Sequence, residues 1–95
     1  MGNLDRQIEL YDAALESNPD FARGYFLLAK LLMDNGRDMD RAEQLAREGL
    51  ERDLEHLAGP LGYHVLADIL NRSGRPAEAR EAARRGREIQ GPDDS

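Results

Sequence analysis

The stretch "YFLLAKLLMDNG", Tyr25–Gly36, returns thirty-eight residues later as "YHVLADILNRSG", Tyr63–Gly74. Aligned without a gap, the two share Tyr, two Leu, Ala and the closing Gly. Two further columns exchange one aliphatic side chain for another, Leu27 for Val65 and Leu31 for Ile69. Other columns differ freely, Phe26 against His64 and Lys30 against Asp68, as expected of an exposed side. A unit with one fixed side and one free side, repeated at a fixed period, is how a chain reads when neighbouring units bury each other's apolar faces.

Tyr25, Leu28, Ala29 and Leu32 stand at i, i+3, i+4 and i+7, and so do Tyr63, Leu66, Ala67 and Leu70. That spacing gathers four apolar side chains on one face of an α-helix, with no strand-like alternation. Each helix is expected to stop at its Gly, Gly36 or Gly74, where positive φ costs least. A second helix follows each stop. In the first unit Asp40 is the expected N-cap, with Glu43 three residues on; in the second, Pro76 sits just inside the helix start. Small residues recur at matched spacing, Ala42, Ala46 and Gly49 against Ala79, Ala83 and Gly86. Gly inside a helix is unfavourable by about 1 kcal/mol relative to Ala, so two in register imply close helix contact. A partial third copy opens the chain, with Tyr11, Ala14, Leu15 and Pro19 aligned to Ala46, Gly49, Leu50 and Leu54. Leu4, Ile8, Tyr11 and Leu15 form its apolar face, expected to cover the apolar side of the Tyr25 helix.

This pattern resembles the tetratricopeptide repeat, whose period is about 34 residues. Tyr25/Tyr63, Leu28/Leu66, Ala29/Ala67 and Leu32/Leu70 stand at its first-helix positions, and Ala42/Ala79, Ala46/Ala83 and Gly49/Gly86 at its second-helix positions. Pro19 closes the leading half-unit. The chain departs from the family in having Ala where Phe is preferred and Leu54 where Pro is. The segment "LEHLAGPLG" also lengthens the link between units. The resemblance implies an all-α fold, a short α-solenoid of antiparallel helix pairs with about five helices in a superhelix. The expected organisation is one domain, 1–95: a leading half-repeat helix 4–17, repeat one 20–56, repeat two 60–91 and a frayed tail 91–95.

The resemblance also implies a partner-binding groove lined by the first helices. Carried over by position, its residues are Arg23, Phe26, Lys30, Met33 and Asp34, then Leu61, His64, Asp68, Asn71 and Arg72. Phe26 and Met33 would form an apolar floor, the latter adaptable to varied partners, with Lys30, His64, Asn71 and Arg72 as polar contacts. Lys30 and Asp68 hold the same register on adjacent helices, so their pairing with each other is the alternative. The Lys–Asn pair with which some members clamp a chaperone C-terminus is not reproduced, because Phe26 and Lys30 stand there.

Ninety-five residues make one small domain, 34% charged, 5% aromatic and without Trp, a balance closer to helical than to β-rich proteins. No apolar run approaches the roughly 18 residues of a membrane span, and "MGNLDRQ" carries neither a secretory signal nor the Ser or Thr at position 6 that myristoylation requires. Cysteine is absent, which removes disulfides and thiolate chemistry and is compatible with the expected cytoplasmic location. The net charge is −6, with 7 basic and 13 acidic residues in 1–56 but 6 of each in 57–95. That layout lacks the broad positive footprint of nucleic-acid binding, whereas an acidic half and a basic Arg72–Gln90 segment would allow head-to-tail self-contact.

Candidate chemistry is sparse. His56, His64 and Asp68 could be assembled into a metal set, but no fixed spacing ties His56 to the other two. "DNGRDMDRAE" lacks the Gly and Glu positions of a calcium loop. Asn71-Arg72-Ser73 fits a glycosylation acceptor only as three-residue matches commonly do. Ser17, Ser73 and Ser95 have no nucleophile context, and no phosphate-cradling glycine loop exists. The expectation is a non-enzymatic module without cofactor that binds a protein or peptide and neither nucleic acid nor membrane. Homo-oligomerisation, as a homodimer, is the alternative.

Overall fold

The structure is a computed structural model describing residues 3–90. Five helices follow one another, α1 (Asn3–Ser17), α2 (Ala22–Asp34), α3 (Met39–Arg52), α4 (Leu61–Arg72) and α5 (Pro76–Gln90). They pack as α1 on α2, α2 on α3, α4 on α5, with α4 seated against both α2 and α3. The all-α helical-repeat reading therefore holds, and α1 does lie on α2, with Leu15 as its buried residue.

The two first helices end alike. Gly36 and Gly74 take φ of 63° and 76°, and the residue after each donates back into the helix, Arg37 N to Leu32 O and Arg75 N to Leu70 O, both at 2.9 Å. This is the Schellman closure that a glycine permits. α3 begins differently from the sequence expectation. Its N-cap is Asp38, at φ 50°, whose carboxylate accepts from Arg41 N at 3.2 Å; Asp40 lies in the first turn. There it opposes the partial positive charge of the helix start.

One core runs through the stack. Leu28, Ala29, Ala42, Ala46 and Ile69 are fully buried, with Leu32, Met33, Leu66 and Leu70 nearly so. Phe26 is only 1% exposed, and this overturns its place on the free side of the repeat. A Cβ built on Gly49 of α3 would lie 2.5 Å from the Phe26 ring, and one on Gly62 of α4 would lie 2.6 Å from it. The ring therefore fills the junction between the units, and the two glycines are what admit it.

Gly86 holds the register of Gly49 but is looser, its built Cβ 3.2 Å from Tyr63 Cβ and 3.3 Å from the His64 ring. Opposite signs are expected for the same substitution. Overpacking of a dense core costs about 1–3 kcal/mol, which outweighs the roughly 1 kcal/mol that Ala gains over Gly in a helix. Gly49→Ala should therefore lower the midpoint of urea unfolding, and Gly86→Ala should leave it unchanged or raise it.

Polar links tie the outer helices together. Asp5 and Asp12 of α1 pair with Arg37 and Arg41. The Glu43 carboxylate accepts from Arg75 at 2.7 Å and from Arg47 at 3.0 Å, joining α3 to the start of α5. The Arg75 hydrogen bond, more than any other contact, holds the Glu43 carboxyl below its ordinary value of 4.5, with Arg47 assisting and partial burial opposing. A folded-state value below the unfolded one means that the stabilisation is complete above the ordinary value and is lost as pH falls through the folded one. Below pH 4.5 the wild type should thus lose more stability than Glu43→Gln, a difference read from urea midpoints across that range.

Candidate partner-binding surface

The eight candidate residues divide into three groups. Phe26 and Met33, the intended apolar floor, are 1% and 2% exposed and belong to the core. They are corrected accordingly, because α4 covers the side of α2 from which they project. Arg23, Lys30, Asp68 and Arg72 remain exposed on α2 and α4. His64 and Asn71 are exposed too, but they hold the register of Phe26 and Met33, one unit further on. They thus point toward the place a further helix would take.

The anticipated Lys30–Asp68 pair does not form. Lys30 Nζ instead pairs with Asp34 of its own helix at 2.9 Å, both side chains about half exposed, an i,i+4 contact that contributes about 0.5 kcal/mol or less. Arg72 reaches across to α2, donating to Met33 O at 3.3 Å, and so holds the C-terminal ends of the two first helices side by side. Arg23, His64, Asp68 and Asn71 make no side-chain hydrogen bond or ion pair among the described residues. The surface is accordingly a strip of mixed charge on two adjacent helices, without an aromatic floor.

No group of three or more His, Asp or Glu side chains converges to hold a metal among the described residues. His56 stands in the α3–α4 loop with its ring 6.5 Å from that of Tyr63, remote in role from the His64/Asp68 pair it was considered with. The expected tail 91–95 lies outside the described residues. No helix among them is long and apolar enough to cross a membrane.

Two further features carried little sequence signal. A cleft of about 420 Å³ opens between α3 and α5, floored by Tyr63, Leu66, Leu70 and Ala82 and edged by Arg47, Glu51, Glu78 and Arg85. It exists because α4 stands between those two helices. The second is the α3–α4 loop. The buried Asp53 carboxylate accepts from Leu57 N at 2.8 Å and Ala58 N at 2.9 Å, fixing a loop on which Leu54 and Leu57 are 79% and 84% exposed. An Asp that terminates a helix and turns back on the next loop is recognisable only when that loop's path is known.

A family model described as tetratricopeptide repeat matches residues 10–44, from the middle of α1 through α2 into α3. No curated protein matches the chain. Residues 10–44 are thus a tetratricopeptide repeat, and repeats of this family generally mediate protein–protein interaction.

Proposed function

We propose that this tetratricopeptide-repeat protein is a non-catalytic adaptor that binds a peptide or protein along the exposed side of α2 and α4. Arg23, Lys30, Asp68 and Arg72 make the contacts, and His64 and Asn71 extend them at one edge. The observation that carries this reading is the set of exposed, unpaired polar groups on two packed helices, in a family whose general role is protein interaction. Mixed charge selects partners by sign and spacing more than by apolar area. The apolar contribution assigned to Phe26 and Met33 from the sequence is withdrawn.

Peptide-array selection with the full chain, followed by NMR chemical-shift mapping of the tightest binder, tests it. Shifts on α2 and α4 that disappear in Asp68→Lys and Arg72→Glu are the expected result. Shifts confined to other surfaces, or retained affinity in both variants, would remove the reading. Self-assembly is the second reading, favoured by the exposure of Leu54 and Leu57. Light scattering over a range of concentrations decides it: a dimer that persists in high salt and dissociates in Leu54→Glu/Leu57→Glu would make self-assembly the leading function.

A further inference from the structure

The N-terminal end of the stack repeats an internal junction with one helix missing. Leu15 of α1 packs toward Gly24 of α2 (3.0 Å to the built Cβ) just as Leu50 of α3 packs toward Gly62 of α4 (2.8 Å). Those paired contacts fix the correspondence of α1 with α3 and of α2 with α4. Under it, Leu10, Leu27 and Leu31 correspond to Leu45, Val65 and Ile69. The latter three belong to one buried cluster, at 8%, 4% and 0% exposure. Leu10, by contrast, is 60% exposed, and Leu27 and Leu31 are only partly buried.

What covers the second junction is α2, which sends the Phe26 ring against Gly62. At the first junction the corresponding glycine, Gly24, meets a different ring, that of Phe21, 2.7 Å from its built Cβ. Phe21 comes from the turn preceding α2 and is itself 39% exposed. The chain thus supplies the aromatic plug of the missing helix but not its body.

The C-terminal end is finished differently. There the counterparts of Phe26, Met33 and Leu50 are His64, Asn71 and Arg87, polar side chains suited to water and typical of a terminal face of stacked repeats. Leucines are kept at one end and replaced at the other, which marks the N-terminal end as a contact surface.

Charge selects the occupant. Gln7, Leu10 and Ala14 form an uncharged stripe on α1, while Asp5 and Asp12 turn away to their arginine partners on and before α3. The stripe and Leu27 are flanked by Arg6 on α1 and by Arg23 and Lys30 on α2, with Asp34 the single nearby acid, in a chain whose net charge is −6. Two copies meeting through this face would oppose like-charged rims. A helix with acidic flanks would instead meet complementary ones.

We propose that this N-terminal face, centred on Leu10, Leu27 and Leu31, docks an amphipathic helix with acidic flanks from a partner protein. The helix would take the position that α2 takes on α3 and α4, with apolar residues at i, i+3 or i+4 and i+7. The surface is separate from the exposed side of α2 and α4 assigned above.

Two synthetic peptides that keep the apolar positions of Ala22–Asp34 test it, one with Glu and the other with Lys at every other position. Each is titrated calorimetrically into the full chain. The Glu peptide should bind about tenfold or more tighter than the Lys peptide, with affinity falling as salt rises. Leu10→Glu should weaken binding by at least about tenfold while its thermal unfolding matches wild type. Leu57→Glu and Arg72→Glu should bind as wild type does. Equal affinities for the two peptides, no binding of either, or unchanged affinity in Leu10→Glu would overturn the proposal. Loss in Arg72→Glu but not in Leu10→Glu would place the peptide on the α2–α4 strip instead. A homodimer dissociated by Leu10→Glu would give the face to a second copy, which also overturns it.

Discussion

Leu28→Asp is expected to abolish cooperative folding. Leu28 is fully buried in the common core. Losing its side chain alone would cost about 2–5 kcal/mol as a cavity, and a carboxylate placed there without a partner adds several more. Domains of this size have about 5–15 kcal/mol in total, and small ones lie toward the lower end. Far-UV circular dichroism should show reduced helicity at room temperature and no sharp thermal transition. Leu10→Asp is the control: at 60% exposure it should melt as the wild type does. A cooperative Leu28→Asp transition within a few degrees of wild type would disprove this account of the core.

Phe26→Ala is the second large effect, and it separates the two readings of that residue. As a groove residue, Phe26 would lose partner affinity on truncation and leave stability untouched. As the ring that fills the junction between Gly49 and Gly62, it should cost about 3–5 kcal/mol. The upper part of that range is expected, because the two glycines facing the cavity have no side chains with which to refill it. For a domain near this size each kcal/mol moves the melting temperature by about 4–8 °C, so the change is large in any thermal scan. A double-mutant cycle sharpens the test. Gly62→Ala alone should destabilise, since its Cβ would press on the Phe26 ring and on Leu50, yet in the Phe26→Ala background it should be neutral or stabilising. Additive losses would show that the ring and the glycine do not share the space.

The helices were legible because their causes are local. Tyr25, Leu28, Ala29 and Leu32 repeat as Tyr63, Leu66, Ala67 and Leu70, and the glycine stops at Gly36 and Gly74 adopt the positive φ their sequence position required. The small residues at Gly49 and Gly86 were legible as close contacts, though not what they contacted. The N-cap of α3 was misplaced by two residues, because Asp38 and Asp40 both suit a helix start and the turn's geometry alone chooses between them.

The binding surface was legible only in part. Phe26 and Met33 look exposed when one helix is considered, since they lie off its most repeated face. Their burial follows from α4, which covers a second side of α2. His64 and Asn71 hold the same register in the last described unit, where no helix follows among the described residues, and there the polar residues are the ones exposed.

The sequence by itself determined five helices, their direction of stacking and the identity of most core residues, because periodicity and stop signals act within a few residues along the chain. The tertiary structure decided which second face of each helix is buried. That depends on whether a neighbouring unit is present to cover it, and a unit's own residues cannot encode its neighbour. The same dependence buries Phe26 between α3 and α4 and leaves Leu10 exposed at the end of the stack.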